Sequence, residues 1–160
     1  MAILDKADTK TKPDEITRQI IGCCFKVHNA LGPGFPEKVY QAALAIALAE
    51  QGLAVERERR FAVSFAEHVV GEFHVDIFVE RSVIIEIKSV AGMMPRVFRA
   101  QLLAYLKAAN ISAGLLVNFG NTSCEVQRVT FSALSALSPR QSDLSILSTG
   151  QSDVSTMAVP

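Results

Sequence analysis

This chain lacks a net charge: sixteen basic residues balance sixteen acidic ones over 160 residues. The chain as a whole therefore has no electrostatic footprint for a polyanion, and any contact with nucleic acid must be local. Cysteine is scarce. The three present, Cys23, Cys24 and Cys124, are odd in number and two are adjacent. No secretory signal precedes them, which argues against a disulfide framework and for a reducing cytoplasm as the setting. No apolar run approaches the ~18 residues that a bilayer span needs, and Met1 to Lys12 has no apolar heart of the signal-peptide kind, so the expected protein is soluble and makes no membrane contact. A phosphate-binding glycine loop and a Ser-His-Asp order are also missing.

What is present is an ordinary globular composition, 49% apolar and 20% charged, enough to build one core. Pro13-Asp14-Glu15 reads as a helix start, and Ile16, Ile20, Ile21, Cys24, Val27 and Leu31 follow with helical spacing. After a turn at 32–36, Val39, Tyr40, Ala43, Leu44, Ala47 and Leu48 trace a second helix that stops near Gly52. The period then changes to two. Val55 with 61–65 makes a first strand and 69–79 a second, separated by Ala66-Glu67-His68 and suited to a hairpin. A third strand over 82–90 follows a tight turn at Glu80-Arg81, and its Val83-Ile84-Ile85 start suggests burial on both faces and a central place in the sheet.

Pro95 opens a third helix, and strands over 111–119 and 125–131 complete the order α-α-β-β-β-α-β-β, an α/β or α+β sandwich. The expected division is a polar segment over 1–12, one domain over 13–131, and a serine-rich tail over 132–160. Pro139 and Gly150 interrupt the tail and few large apolar groups remain in it, so it is expected to be disordered or loosely helical and dispensable for chemistry.

Strand alternation places His74, Asp76 and Phe78 on one face and Val75, Ile77 and Val79 on the other. In the next strand Ile84, Glu86 and Lys88 share a face, opposite Ile85 and Ile87. Charges inside such apolar runs are costly to bury unpaired. One reading joins Asp76 and Glu86 across paired strands around a hard cation such as Mg²⁺, with Lys88 beside the attacking water. The competing reading is a buried Glu86–Lys88 or Asp76–Lys88 ion pair, and the residue types alone leave both open.

An Asp on one strand followed by Glu-x-Lys on the next resembles the PD-(D/E)XK nuclease superfamily. Gly34-Phe35-Pro36-Glu37-Lys38-Val39-Tyr40 is similar to the motif that names its GxxExxY family, as are His74-Val75-Asp76, the segments 85–90 and 100–106, and Gly114 to Phe119. Five such blocks in order over 14–131 are far more selective than any one of them. The resemblance implies a nuclease-like α/β core with a mixed central sheet flanked by helices. It further implies Mg²⁺ or Mn²⁺ held by Asp76, Glu86 and the carbonyl of Ile87, with Glu37 as an additional acid reaching the metal directly or through water. Lys88 and Gln101 would complete the catalytic set. The expected activity is metal-dependent hydrolysis of phosphodiester bonds in nucleic acid, with DNA as the expected polymer. The alternative is a non-catalytic nucleic-acid- or protein-binding module that retains the fold.

One departure from the family pattern is Phe98, where relatives often carry histidine three residues before the glutamine. Cys24 and His28 have i, i+4 spacing, but no second pair accompanies them, and a core cysteine beside a surface histidine is expected. Arg57, Arg59, Arg60, Arg96 and Arg99 are either a phosphate-binding rim or a solvated face, the latter being favoured.

Overall fold

In the computed structural model, which describes residues 13–133, local sequence signals account for most element boundaries. Helix α1 (Pro13–Leu31) has Asp14 and Glu15 in its first turn, where carboxylates meet the positive end of the helix dipole. It turns Ile16, Ile20, Cys23, Cys24 and Val27 inward. Gly32 and Gly34 then adopt φ of 68° and 110°, a region that a Cβ penalises, and the chain reverses. Helix α2 (Glu37–Glu50) follows Pro36 and buries Tyr40, Gln41, Leu44, Ala47 and Leu48.

Strands β1 (Val55–Phe65) and β2 (His68–Val79) form a hairpin whose two-residue turn, Ala66 and Glu67, has positive φ at both positions, the hand of turn that suits strand twist. β3 (Val83–Lys88) pairs antiparallel with β2. Helix α3 (Arg96–Ala109) then carries the chain across the sheet, so that β4 (Ala113–Asn118) runs parallel to β3, and β5 (Glu125–Thr130) returns antiparallel. The sheet order is β1-β2-β3-β4-β5, with β3 central as its apolar start predicts. This is the expected α/β fold, a mixed sheet between helices.

Several boundaries differ from the sequence pattern, two of them for visible reasons. β1 is continuous from Val55, because it pairs with β2 along its length except at Glu58. β3 stops at Lys88 rather than Val90, because the Asn118 side chain takes over the Val90 N–H at 3.0 Å and its carbonyl at 2.9 Å. Ala113 and Thr130 likewise bound the last two strands inside the expected ranges.

The sheet has two covered faces. Against α1 and α2 lie Ile77, Val79, Val83, Ile85, Ile87, Leu115 and Val117. Against α3 lie Val75, Phe78, Ile84, Leu116 and Val129, with Leu102 and Leu106 of the helix. Gly114 permits that close approach, since a Cβ there would meet Leu102 at 3.0 Å and Leu106 at 3.2 Å.

One alternation expected from the sequence is overturned. Val75 does not share a face with Ile77 and Val79; it packs on the α3 side with Phe78. The strand changes face at Asp76. β1 changes face in step, since Val55 packs on the α1/α2 side and Phe61 on the α3 side although they stand an even number of positions apart. Between them Glu58 has φ of 53°, unusual for a residue with a Cβ.

The segment 1–12 and the tail beyond Ala133 lie outside the described residues. Among the described residues no helix is long and apolar enough to cross a membrane.

Candidate metal centre

The β2–β3 ladder pairs Val79 with Val83, Phe78 with Ile84 and Ile77 with Ile85, and goes no further. One step on, Asp76 would face Glu86. There the Asp76 side chain replaces the missing backbone partner, its Oδ2 accepting the Ile87 N–H at 2.7 Å. The Lys88 carbonyl accepts the Phe119 N–H on the β4 side at 2.8 Å. Backbone groups of successive strand residues point to opposite sides, so the carbonyl of Ile87 opens with its N–H toward the gap beside Asp76.

Glu86 is only 6% exposed. Its Oε2 lies 3.9 Å from Lys88 Nζ, and its Oε1 is buried without a hydrogen-bond partner. Burial, reinforced by repulsion from Asp76, pushes its carboxyl up to about 8, with Lys88 opposing. Burial also raises Asp76, against the stabilising Ile87 N–H and Lys88. Two neighbouring carboxyls held toward their neutral forms mark a place short of positive charge. Lys88 does not supply enough, because its ammonium reaches one Glu86 oxygen at long range and also lies 4.8 Å from the centre of the Phe98 ring. A simple ion pair therefore leaves Oε1 unexplained, whereas a hard cation taking oxygen ligands would satisfy it.

Among the described residues no three His, Cys, Asp or Glu side chains group closely enough to hold a metal by themselves. The donor set that fits is two carboxylates and a backbone carbonyl, an all-oxygen composition that suits a hard divalent cation.

The remaining sequence candidates surround this gap unevenly. Glu37 is exposed in the first turn of α2 and adds to the repulsion on both Asp76 and Glu86. Gln101 is exposed on α3, one turn before Tyr105, whose hydroxyl is raised by burial and by the charge of Glu86, with Gln101 opposing. Tyr105 stacks on Phe73 at 4.2 Å. His74 is exposed on β2. Three of the arginines are engaged locally, Arg59 with Glu56, Arg60 with Glu72 and Arg57 as a donor to Gln41, while Arg96 and Arg99 are exposed on α3. His28 corrects the expectation of a surface residue, since it is buried, with Nε2 2.9 Å from the Asn121 carbonyl oxygen and its ring stacked on Phe119.

The motif tyrosine has a structural task that its sequence position does not reveal. The Tyr40 hydroxyl donates to the Gly32 carbonyl at 2.6 Å and accepts the Phe35 N–H at 3.2 Å, while Ser89 Oγ donates to the Phe35 carbonyl at 2.8 Å. These bonds tie the turn before Glu37 to the end of β3. Gln41, one residue later, escaped notice altogether. Its one sequence signal is a long polar side chain within an alanine-rich apolar helix.

A search of curated proteins finds no match. Among solved structures, the crystal structure of SSO0001 overlays with a TM-score of 0.49 at 20% identity, covering 62% of this chain and 52% of that one. The chain thus spans about half the length of that protein. A sequence profile of the PD-(D/E)XK nuclease superfamily matches residues 14–129, a span that takes in α2, α3, the first four strands and nearly all of α1 and β5. By that match, the chain belongs to the PD-(D/E)XK nuclease superfamily.

Proposed function

We propose that this chain is a GxxExxY-type nuclease that hydrolyses phosphodiester bonds in nucleic acid, with DNA as its substrate, and that residues 13–131 carry the chemistry. The observation that carries this reading is the unpartnered, buried Oε1 of Glu86 beside Asp76 at the parted end of β2 and β3. Asp76, Glu86 and the Ile87 carbonyl would hold Mg²⁺ or Mn²⁺, with Glu37 contributing directly or through water, and the ion would supply Lewis acidity at the scissile phosphate and make a water more acidic. Lys88 orients the attacking water and offsets charge developing on the phosphate. The Phe98 ring beneath its ammonium narrows the positions Lys88 can take. Gln101, one turn from Tyr105 on α3, holds a phosphate oxygen or the water from that side.

A second reading, a binding module that cuts nothing, draws support from the balanced charge and from the pairing of Arg59 and Arg60 within β1 and β2, because nonspecific nucleic-acid affinity comes from uncompensated cationic surface. Incubation of the purified protein with single- and double-stranded DNA and RNA, with and without Mn²⁺, separates the two. Metal-dependent cleavage supports the nuclease; retention of a polymer without cleavage in any metal supports the module.

A further inference from the structure

We propose that Gln41 is the positioning residue of this site: through the Asp76 backbone it aims the Asp76 carboxylate at the Ile87 N–H and the gap. The proposal rests on the metal-site reading only for its effect on metal affinity.

A buried amide must find partners. Gln41 is 2% exposed, and its Nε2 donates to the Asp76 carbonyl at 2.8 Å and to Glu58 Oε1 at 2.7 Å. Its Oε1 accepts from Arg57 at 3.4 Å. Lys38 pairs with the same Glu58 oxygen. One side chain of α2 thus joins β1 and β2, at the level where both strands change face.

That level departs from plain sheet. Glu58 holds a left-handed φ, and Asp76 stands where regular alternation fails, so strand geometry alone does not determine the Asp76 peptide. Gln41 fixes its carbonyl from the α2 side. With that peptide held, the side chain leaves β2 in the direction that brings Oδ2 to 2.7 Å from the Ile87 nitrogen. Tyr40, the adjacent residue, ties the preceding turn to β3 by way of Phe35 and Ser89. Successive residues of α2 therefore hold β2 at Asp76 and, through the preceding turn, the segment that follows β3.

The test uses the full-length chain and Gln41→Met, which keeps the side-chain length and removes the donor. Two quantities are measured: the amide hydrogen exchange of Ile87 relative to Ile85, and the Mn²⁺ dissociation constant by calorimetry. The expected result is Ile87 exchange faster by about tenfold relative to Ile85, and Mn²⁺ affinity weaker by about tenfold, the loss typical when an outer partner of a ligand is removed. Equal acceleration at Ile85 and Ile87, or no change at Ile87, overturns the proposal and leaves Gln41 as a packing residue. If Gln41→Met fails to fold, Gln41→Asn, too short to reach both partners, is read in the same way. Failure of the wild type to bind Mn²⁺ would reject the metal reading, while the Ile87 exchange ratio would still decide the role of Gln41.

Discussion

Two helices cover one face of the sheet and a single helix covers the other, and the difference decides where chemistry can sit. Beneath α1 and α2 the inward residues of β2, β3 and β4 are apolar throughout, from Ile77 and Val79 to Leu115 and Val117. Beneath α3 the apolar patch is smaller, built on Phe78, Ile84 and Leu116, and it runs out along β3 into Glu86 and Lys88. The first face has enough cover to exclude water and no reason to hold a charge. The second removes enough water to push Glu86 up to about 8, yet stays open enough to leave Lys88 and Asp76 partly accessible. Under the proposed function, a site that binds a cation and admits a polymer needs that intermediate condition.

The comparison is tested most severely by activity. Lys88→Ala removes no metal ligand, so cleavage should fall by about 10²–10³-fold while stabilisation by Mn²⁺ survives, as read by single-turnover assays and thermal melts. Next in size is a pair of neighbours on opposite faces. Leu115 and Leu116 are both fully buried. Leu115→Ala opens a cavity in the closed face and should cost about 3 kcal/mol in urea denaturation; Leu116→Ala, on the smaller face, should cost nearer to about 2 kcal/mol. Equal costs would remove the distinction between the faces.

Metal should act on the open face alone. In the wild type a hundredfold excess of Mn²⁺ over its dissociation constant should add ~2.7 kcal/mol. Asp76→Asn keeps an oxygen for the Ile87 N–H, so the metal-free stability should hold while most of that gain disappears.

A smaller effect follows from protonation. The Glu86 carboxyl lies above its ordinary 4.5, at about 8 in the fold, so between those values the folded chain holds a proton that the unfolded chain has released. This group's contribution is therefore complete below pH 4.5 and lost as pH rises through 8. Without metal, the melting temperature should decline over that window, and Glu86→Gln should flatten the decline. A rise instead of a decline would show that Glu86 is ionised and satisfied. The smallest effect belongs to the surface: Lys26→Ala removes an exposed pair with Glu50 and should leave the melting temperature unchanged within error.

The order of the elements, the central place of β3 and the hairpin were all legible in the chain itself, and Asp76, Glu86 and Lys88 stood out there as candidates by the spacing of one motif. Each depends on local signals, hydrophobic period, turn residues and the spacing of one motif, which act before any distant contact forms. Tertiary structure alone decided the change of face at Asp76, the end of the β2–β3 ladder at Ile77 and Ile85, the burial of His28, and the tasks of Gln41 and Asn118. The reason is common to all of them. Period-two reading assumes that every strand keeps its neighbour, whereas at a parted edge the backbone groups bond to whichever side chain the fold brings within reach, and that competition is settled between residues far apart in sequence.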